Sequence, residues 1–401
     1  MERISIEGAA AALLARLSPL PGRESVPLSA LPGRVLAEDV SARLDVPPFD
    51  RSPLDGYALR SADLAGAGPG APALLRVAGT VYAGGTFPGA VGPGEAVRIM
   101  TGAPIPAGAD CVVRQEDTDG GREQVRVYSS LHAGQNLCLR GEDVTAGALL
   151  FRRGERMDWT HIPALAGQGV TEVAVFPLPR AAVLSNGDEL VSPGAALGPG
   201  QIYDSNGPML TARLASLHAR PLLLPGGADD PGVLARRLAG DLEKCDLAVT
   251  TGGVSVGEHD YLLRAAELLG AEVLFHGVAA KPGTPALAFL VGGKPVVALS
   301  GNPFAAAAMF EVLARPALER LAGAAHPLPR RLGAVLRGEI GKPSPVRRLV
   351  RARLEGGEVH VAPQGHSSGM ALGLAGCNCL IDLPAGTPAL SGGAAVEVIL
   401  L

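Results

Sequence analysis

DLAVTTGGVSVGEHDYLLRAAELLG, residues 246–270, decides how the rest of the chain is read. A short apolar run breaks at two adjacent glycines and resumes as a helical pattern with Leu262, Ala266 and Leu269 on one face. The stretch therefore predicts a buried strand, a glycine loop and a helix. Gly252, Gly253 and Gly257 would let backbone N–H groups approach an anion, and Ser255 would add a hydroxyl donor. A glycine-rich turn that holds nothing explains the same residues equally well when the loop is taken alone. Neither the G-K-[ST] ending of a P-loop nor the G-x-G-x-x-G of a dinucleotide site is present.

Outward from this stretch, AAVLS (181–185), PLLL (221–224), EVLFH (272–276) and PVVAL (295–299) repeat the buried-strand signal. Helical periodicity lies between them, as in residues 205–219, where Leu210, Leu214 and Leu217 share a face. Strands alternating with helices over 180–323 predict βαβ units in a doubly wound, mostly parallel sheet. Ligands bind such a sheet beyond the carboxyl ends of its strands. Four loops fall there: one with Asp188 and Glu189, one with Asp229 and Asp230, one with Ser255, Glu258 and Asp260, and one with Asn302. Carboxylates converging from three loops suit Mg²⁺, which takes a few hard oxygen ligands and leaves room for water and phosphate. Lys281, one of only four lysines, sits in AAKPGTP, where it reads equally as an anion ligand or as a solvated loop residue. In SGNPF, helix capping by Asn302 with Pro303 at the first helical position is the favoured reading of the residues themselves.

Residues 74–128 alternate short β-rich runs with glycine and proline turns, which predicts a small antiparallel β domain. The same pattern returns after residue 326 and predicts a closing β barrel or sandwich. The N-terminal stretch reads as a short amphipathic helix, and residues 158–169 carry another helical piece. The expected fold is thus multidomain α/β plus all-β. Its parts are a discontinuous linking domain (1–44 with 141–176), an inserted β domain (45–140), an α/β domain (177–325) and a C-terminal β barrel (326–401). Turn-dense segments hold Asp55, Thr101 and Asp143, and Asx-turns or caps account for each of them singly.

With 47% hydrophobic residues and a net charge of −4, the chain can build cores and lacks the basic surface of a protein that neutralises nucleic-acid phosphates. No stretch is long and apolar enough to predict a membrane span, and Glu2 and Glu7 argue against a signal peptide. Five cysteines without a C-x-x-C pair suggest a reduced, cytoplasmic protein. Neither an H-x-x-x-H pair nor a G-x-S-x-G elbow occurs, so zinc-protease and α/β-hydrolase chemistry are not supported.

In order along the chain stand PPFDRSPLDGYA, RIMTGAPIP, GED, GDEL, YDSN, DD, TTGGVSVGEHDY, KPGTP and GNP. This ordered set, covering nearly the whole chain from about residue 26, resembles the MoeA-type molybdopterin molybdenumtransferases, to which the gephyrin E domain and the plant molybdenum insertase domain also belong. The resemblance implies a molybdopterin-binding α/β domain. It also implies an enzyme that binds adenylylated molybdopterin, inserts molybdate and releases AMP with Mg²⁺. It casts Glu189 and Asp260 as the metal-binding acids and Ser255 and Lys281 as anion ligands, with Asp229, Gly252, Gly253, Gly257, Asn302 and Pro303 around the same site. Asp55, Thr101 and Asp143 match positions important for activity, and Arg351 and Ser368 are assigned by weaker local similarity. A homodimer is implied, with each site built from two chains, together with contact to a molybdopterin adenylyltransferase. Departures from the family pattern are Thr284 where a second lysine is usual, Asn186 where threonine is common, SGNPFA in place of PGNPVS, and Arg51 in place of asparagine. They leave molybdate against tungstate open. The competing expectations are a molybdopterin adenylyltransferase, which would not need the extra β domains, and a non-catalytic molybdopterin-binding scaffold, which would not need three converging acids.

Overall fold

The computed structural model describes residues 3–227, 230–254, 261–362 and 367–401. Asp229, Ser255, Gly257 and Asp260 therefore lie outside the described residues. The chain divides into two compact units, one of Met1–Glu38, Arg153–Thr160 and Glu172–Leu401, the other of Asp39–Arg152 and His161–Thr171.

At the centre of the first unit is a six-stranded sheet of β1 (Arg180–Asn186), β2 (Arg220–Gly227), β3 (Leu247–Thr251), β4 (Glu272–His276), β5 (Leu287–Val291) and β6 (Lys294–Leu299), in the order β2-β1-β3-β6-β5-β4. The neighbours from β2 to β6 pair in parallel, as the alternation of strands and helices predicts. β1 shows why both faces are covered. Ala181 and Val183 enter one core with the helices Ile6–Arg16, Asn206–Ser216 and Pro303–Met309, while Ala182 and Leu184 enter the other with Pro231–Lys244 and Tyr261–Leu268. Period-two alternation in a strand lined by apolar residues on both sides gives this doubly wound arrangement.

One strand differs from the sequence expectation. LAFLV (287–291) forms β5, antiparallel to β6 through a tight turn at Gly292 and Gly293, both at positive φ. Gly-Gly between two apolar runs is a hairpin signal, and the hairpin makes this side of the sheet antiparallel.

The C-terminal strands β7 (Arg331–Arg337), β8 (Arg347–Glu355), β9 (Glu358–Val361), β10 (Cys379–Leu383) and β11 (Ala395–Leu400) run in the order β8-β9-β7-β11-β10. Pairing of β10 back onto β8 closes the barrel. A two-residue strand, Ala280–Lys281, adds in parallel to β8 and joins the α/β layer to it.

Asp382 on β10, with its side chain 3% exposed, anchors a charge cluster. It accepts from Arg347 Nε at 2.8 Å and from Arg331 Nη1 at 2.8 Å, and Arg347 Nη1 reaches Glu7 of the N-terminal helix at 2.5 and 2.6 Å. Burial alone would raise the Asp382 carboxyl. The hydrogen bonds and charges of Arg347 and Arg331 outweigh it and hold the group below the usual aspartate value. A depressed native pKa stabilises the fold above the unfolded pKa, and that contribution fades as pH falls from about 4 through the native value. Asp382→Asn is therefore expected to melt lower than the parent at pH 7, with the gap closing toward pH 3 or so. Parallel thermal melts at the two pH values test this, and a gap that stays constant would refute it.

In the second unit, five strands run in the order Cys111–Arg114, Gly56–Leu59, Glu95–Ile99, Ala73–Val81 and Gln124–Val127. The sheet is mixed where the sequence suggested purely antiparallel pairing, because Ala73–Val81 and Glu95–Ile99 are parallel. Residues 82–94 supply the connection of about a dozen residues that a parallel pair needs. Among the described residues, no helix is long and apolar enough to cross a membrane.

Candidate active site

A cleft of about 620 Å³ opens at the carboxyl ends of β1, β3 and β6. Three of the four loops picked out from the sequence line it, contributing Asn186, Gly187, Glu189 and Leu190, then Thr251 to Val254, and Ser300 to Pro303. The loop after β2 contributes none of its described residues to the lining. Its Gly226 borders a separate, smaller cleft, and Asp230 caps the helix Pro231–Lys244 by accepting from Val233 N at 2.7 Å.

The glycines of the β3 loop are required by shape. Gly252 and Gly253 have φ of +77° and +68°, and a Cβ on Gly252 would run into the carbonyl oxygen of Asn186. Two successive residues in the left-handed region are routine only for glycine. The loop therefore packs directly on the end of β1. On the far side a Cβ on Gly301 would sit 3.6 Å from Gly252 Cα, so three strand ends meet backbone to backbone.

Glu189 is exposed at the cleft with its carboxylate folded over Gly187. Asp204, in the YDSN motif, is the second described carboxylate lining it. Its Oδ1 accepts from Ser185 Oγ and from Gly207 N, both at 2.9 Å, which caps the helix Asn206–Ser216 and ties its start to the end of β1. Asn206 donates through Nδ2 to Gly301 O at 2.7 Å, which links the same helix to the β6 loop. Among the described residues no group of three or more metal-ligating side chains is gathered. Two carboxylates with room for water and phosphate are nonetheless a set that suits Mg²⁺.

Asn302 occupies the N-cap position of the helix Pro303–Met309, and Pro303 is its first residue. The expected capping bond is absent, which corrects the reading favoured on sequence alone. The exposed side chain instead lines the cleft and a second one beside it. That neighbour, about 450 Å³, is bordered by Lys281, Thr284, Arg348 and Ser368, and the two clefts share Ser300 and Asn302. Gly283, at φ +97°, keeps the KPGTP turn tight, since a Cβ there would strike the Met309 side chain.

Arg351 is the largest fully buried side chain among the described residues. Its Nη1 donates to Met370 O at 2.7 Å and its guanidinium lies 4.7 Å from the Phe304 ring centroid, so it braces the segment carrying Gly369 and Ala371 against the helix below the cleft. Burial lowers its pKa from the ordinary arginine value. Ser368 O accepts from Phe304 N at 3.0 Å and fixes the same segment to the start of that helix.

Asp55, Thr101 and Asp143 belong to the second unit. Asp55 Oδ1 accepts from the Thr101 backbone N and from Thr101 Oγ1, each at 2.7 Å, so the DGYA and MTGAP motifs form one exposed acid–hydroxyl pair and not two local Asx-turns. The Thr101 backbone hydrogen bond, then its hydroxyl, hold the Asp55 carboxyl below the usual range. Asp143 is exposed, with its backbone N donating to Val46 O at 2.9 Å.

Residues 4–169 match the family described as MoeA N-terminal region (domain I and II), residues 182–320 the probable molybdopterin binding domain, and residues 333–401 the MoeA C-terminal region (domain IV). A Staphylococcus aureus protein named molybdopterin molybdenumtransferase is 37% identical over 369 residues, covering 91% of this chain and 88% of the relative. A Staphylococcus epidermidis protein of the same name is 36% identical over 371 residues, covering 92% and 88%. The crystal structure of a molybdopterin biosynthesis MoeA protein from Pyrococcus horikoshii superposes with a TM-score of 0.83 at 32% identity, covering 100% of this chain and 99% of the other. Three family models that together span most of the chain, and relatives more than 30% identical along nearly its whole length, agree with the doubly wound sheet and the closed barrel, and the chain belongs to the MoeA family.

Proposed function

We propose that this chain carries out the insertion step of molybdenum cofactor assembly: it holds adenylylated molybdopterin, takes molybdate into the dithiolene, and releases AMP with Mg²⁺. The observation that carries this reading is the pair of adjoining clefts sharing Ser300 and Asn302. One is walled by a glycine loop and carboxylates, the other carries Lys281. A bulky anhydride and a small oxyanion must meet in such a reaction, and two clefts with a common wall suit two substrates of different size. The relatives' printed name, molybdopterin molybdenumtransferase, supports the same assignment.

In this scheme the backbone of Gly252 and Gly253 approaches the phosphoanhydride, and Lys281 holds the oxyanion by charge. Glu189, with Asp260 beyond the described residues, would hold Mg²⁺, which when bound neutralises charge on the phosphoanhydride. The nearby Asp204 is committed to the helix cap through one oxygen and keeps the other. We further propose a cytoplasmic homodimer in which Asp55, Thr101 and Asp143 of one subunit face the α/β cleft of the other, supplied by a molybdopterin adenylyltransferase. A single-subunit mass in solution would remove the dimer.

The deciding experiment is AMP release from adenylylated molybdopterin by the purified protein with Mg²⁺, with and without molybdate or tungstate, while cofactor formation is followed in parallel. Release that depends on the oxyanion and yields active cofactor is expected. Glu189→Gln keeps the side-chain shape and removes the charge, and is expected to lower release by about 10- to 100-fold at limiting Mg²⁺, with partial recovery at high Mg²⁺. Bound substrate with no release under either oxyanion would turn the reading to a molybdopterin-binding scaffold.

A further inference from the structure

Lys281 and Arg348 are register partners where the short strand Ala280–Lys281 pairs in parallel with β8. Partners in register stand side by side, and two like charges so placed repel one another. Both line the 450 Å³ cleft with Thr284, Ser300, Asn302 and Ser368, and no carboxylate is among its lining residues. Among the described residues neither cation makes an ion pair. The contrast with the preceding residue is sharp. Arg347, on the opposite face of the same strand, is neutralised by Asp382 and Glu7.

Arg348 has little else to hold it. Its Nη2 donates to Lys342 O at a long 3.3 Å, and its Nε is buried with no hydrogen-bond partner. Leaving a charged donor out of water without a partner is costly, so the arrangement favours an anion that completes it. Thr284 cannot supply the missing charge, and its hydroxyl already donates to Ala280 O at 2.7 Å.

We propose that Arg348 and Lys281 form a two-cation clamp for a tetrahedral dianionic oxyanion, with Arg348 providing the second positive charge of the site. A guanidinium presents two parallel N–H groups to two oxygens of such an anion, while the lysine acts as a point charge. The clamp rests on the reading of the neighbouring cleft given above. Its anion is either free molybdate or the phosphate of a bound nucleotide, which share this chemistry.

Calorimetric titration of the full chain with molybdate, and separately with AMP, tests the clamp in the parent, Lys281→Gln, Arg348→Gln and the double variant Arg348→Gln/Thr284→Lys. Loss of affinity by about 10- to 100-fold in Arg348→Gln, largely restored when Thr284→Lys returns the charge, is expected. Loss for molybdate alone assigns the clamp to the free oxyanion, and loss for AMP alone to the nucleotide phosphate; either supports it. Without anion, Arg348→Gln should melt no lower than the parent, because it relieves a repulsion; a lower melt with unchanged anion affinity would mark a structural role and overturn the proposal. Parental affinity for both anions in Arg348→Gln, with Lys281→Gln weakened, also overturns it while leaving the oxyanion cleft standing. Failure of the reaction itself would show in AMP release, a separate assay.

Discussion

Gly252→Ala is expected to reduce oxyanion-dependent AMP release by about 100-fold or more while leaving most of the fold intact. The backbone at φ +77° costs an L-residue about 1 to 2 kcal/mol. The larger effect is steric, since the new Cβ meets a backbone oxygen, that of Asn186, at the end of a strand held on both sides. A flexible side chain could yield; this carbonyl cannot without moving β1. The loop must therefore shift away from Asn186, toward Gly301 and the β6 turn that it already touches closely. Displacements near 1 Å at a reacting site cost about two orders of magnitude in rate. Gly240→Ala is the control. It lies in the middle of the helix Pro231–Lys244, its Cβ would meet nothing within 4 Å, and alanine there should raise stability by up to about 1 kcal/mol. Parental AMP release in Gly252→Ala would mean that the glycine loop does not position the reacting groups.

That glycine pair was legible in the sequence because strand, turn and helix are local patterns, and a strand ending in T-G-G leaves few alternatives. The barrel was legible in the same way, from short runs and turns, but which strands close it was not, because β10 pairing with β8 joins residues about thirty apart by register alone. Asn302 shows the limit for a side chain. Its position before Pro303 correctly signalled a helix start, yet whether an N-cap residue turns its amide inward to the helix or outward to a cleft depends on neighbours far along the chain. Asp204 shows the converse. D-S-N-G-P is a helix-start signature, which explains the aspartate's bond to Gly207 N but not that the same carboxylate lines the cleft. Arg347 and Arg348 are identical letters with opposite circumstances, and only the pairing of β8 tells which faces carboxylates and which faces the cleft. Arg351, assigned to the site by local similarity, is fully buried with Nη1 donating to Met370 O, a placement that no local pattern in LVRARL announces.

Glu311→Ala is expected to destabilise the first unit by about 3 to 5 kcal/mol, the largest stability effect we foresee from a single side chain. Glu311 is 3% exposed and sits in a π-turn, Phe310–Ala314, inside the long helical run from Pro303 to Leu321. Its carboxylate takes Arg213 in a two-point contact, Nε to Oε1 at 2.6 Å and Nη2 to Oε2 at 2.9 Å, and Arg315 Nη1 at 2.9 Å. Arg315 Nη1 also donates to Leu400 O at 2.9 Å on the last barrel strand. One carboxylate thus joins the helix that starts at Asn206 on the cleft, the helix that starts at Asn302, and the barrel. Removing it leaves two arginines without their counter-charge, which costs more than the pair contributes over an apolar replacement. The same asymmetry predicts recovery: Glu311→Met combined with Arg213→Leu should regain much of the loss, because both charges of the two-point contact leave together. Thermal melts of parent, single and double variants decide it, with a fall of about 10 °C expected for Glu311→Ala. A melt within about 2 °C of the parent would show that the cluster is dispensable and that apolar packing alone sets the helix against the barrel.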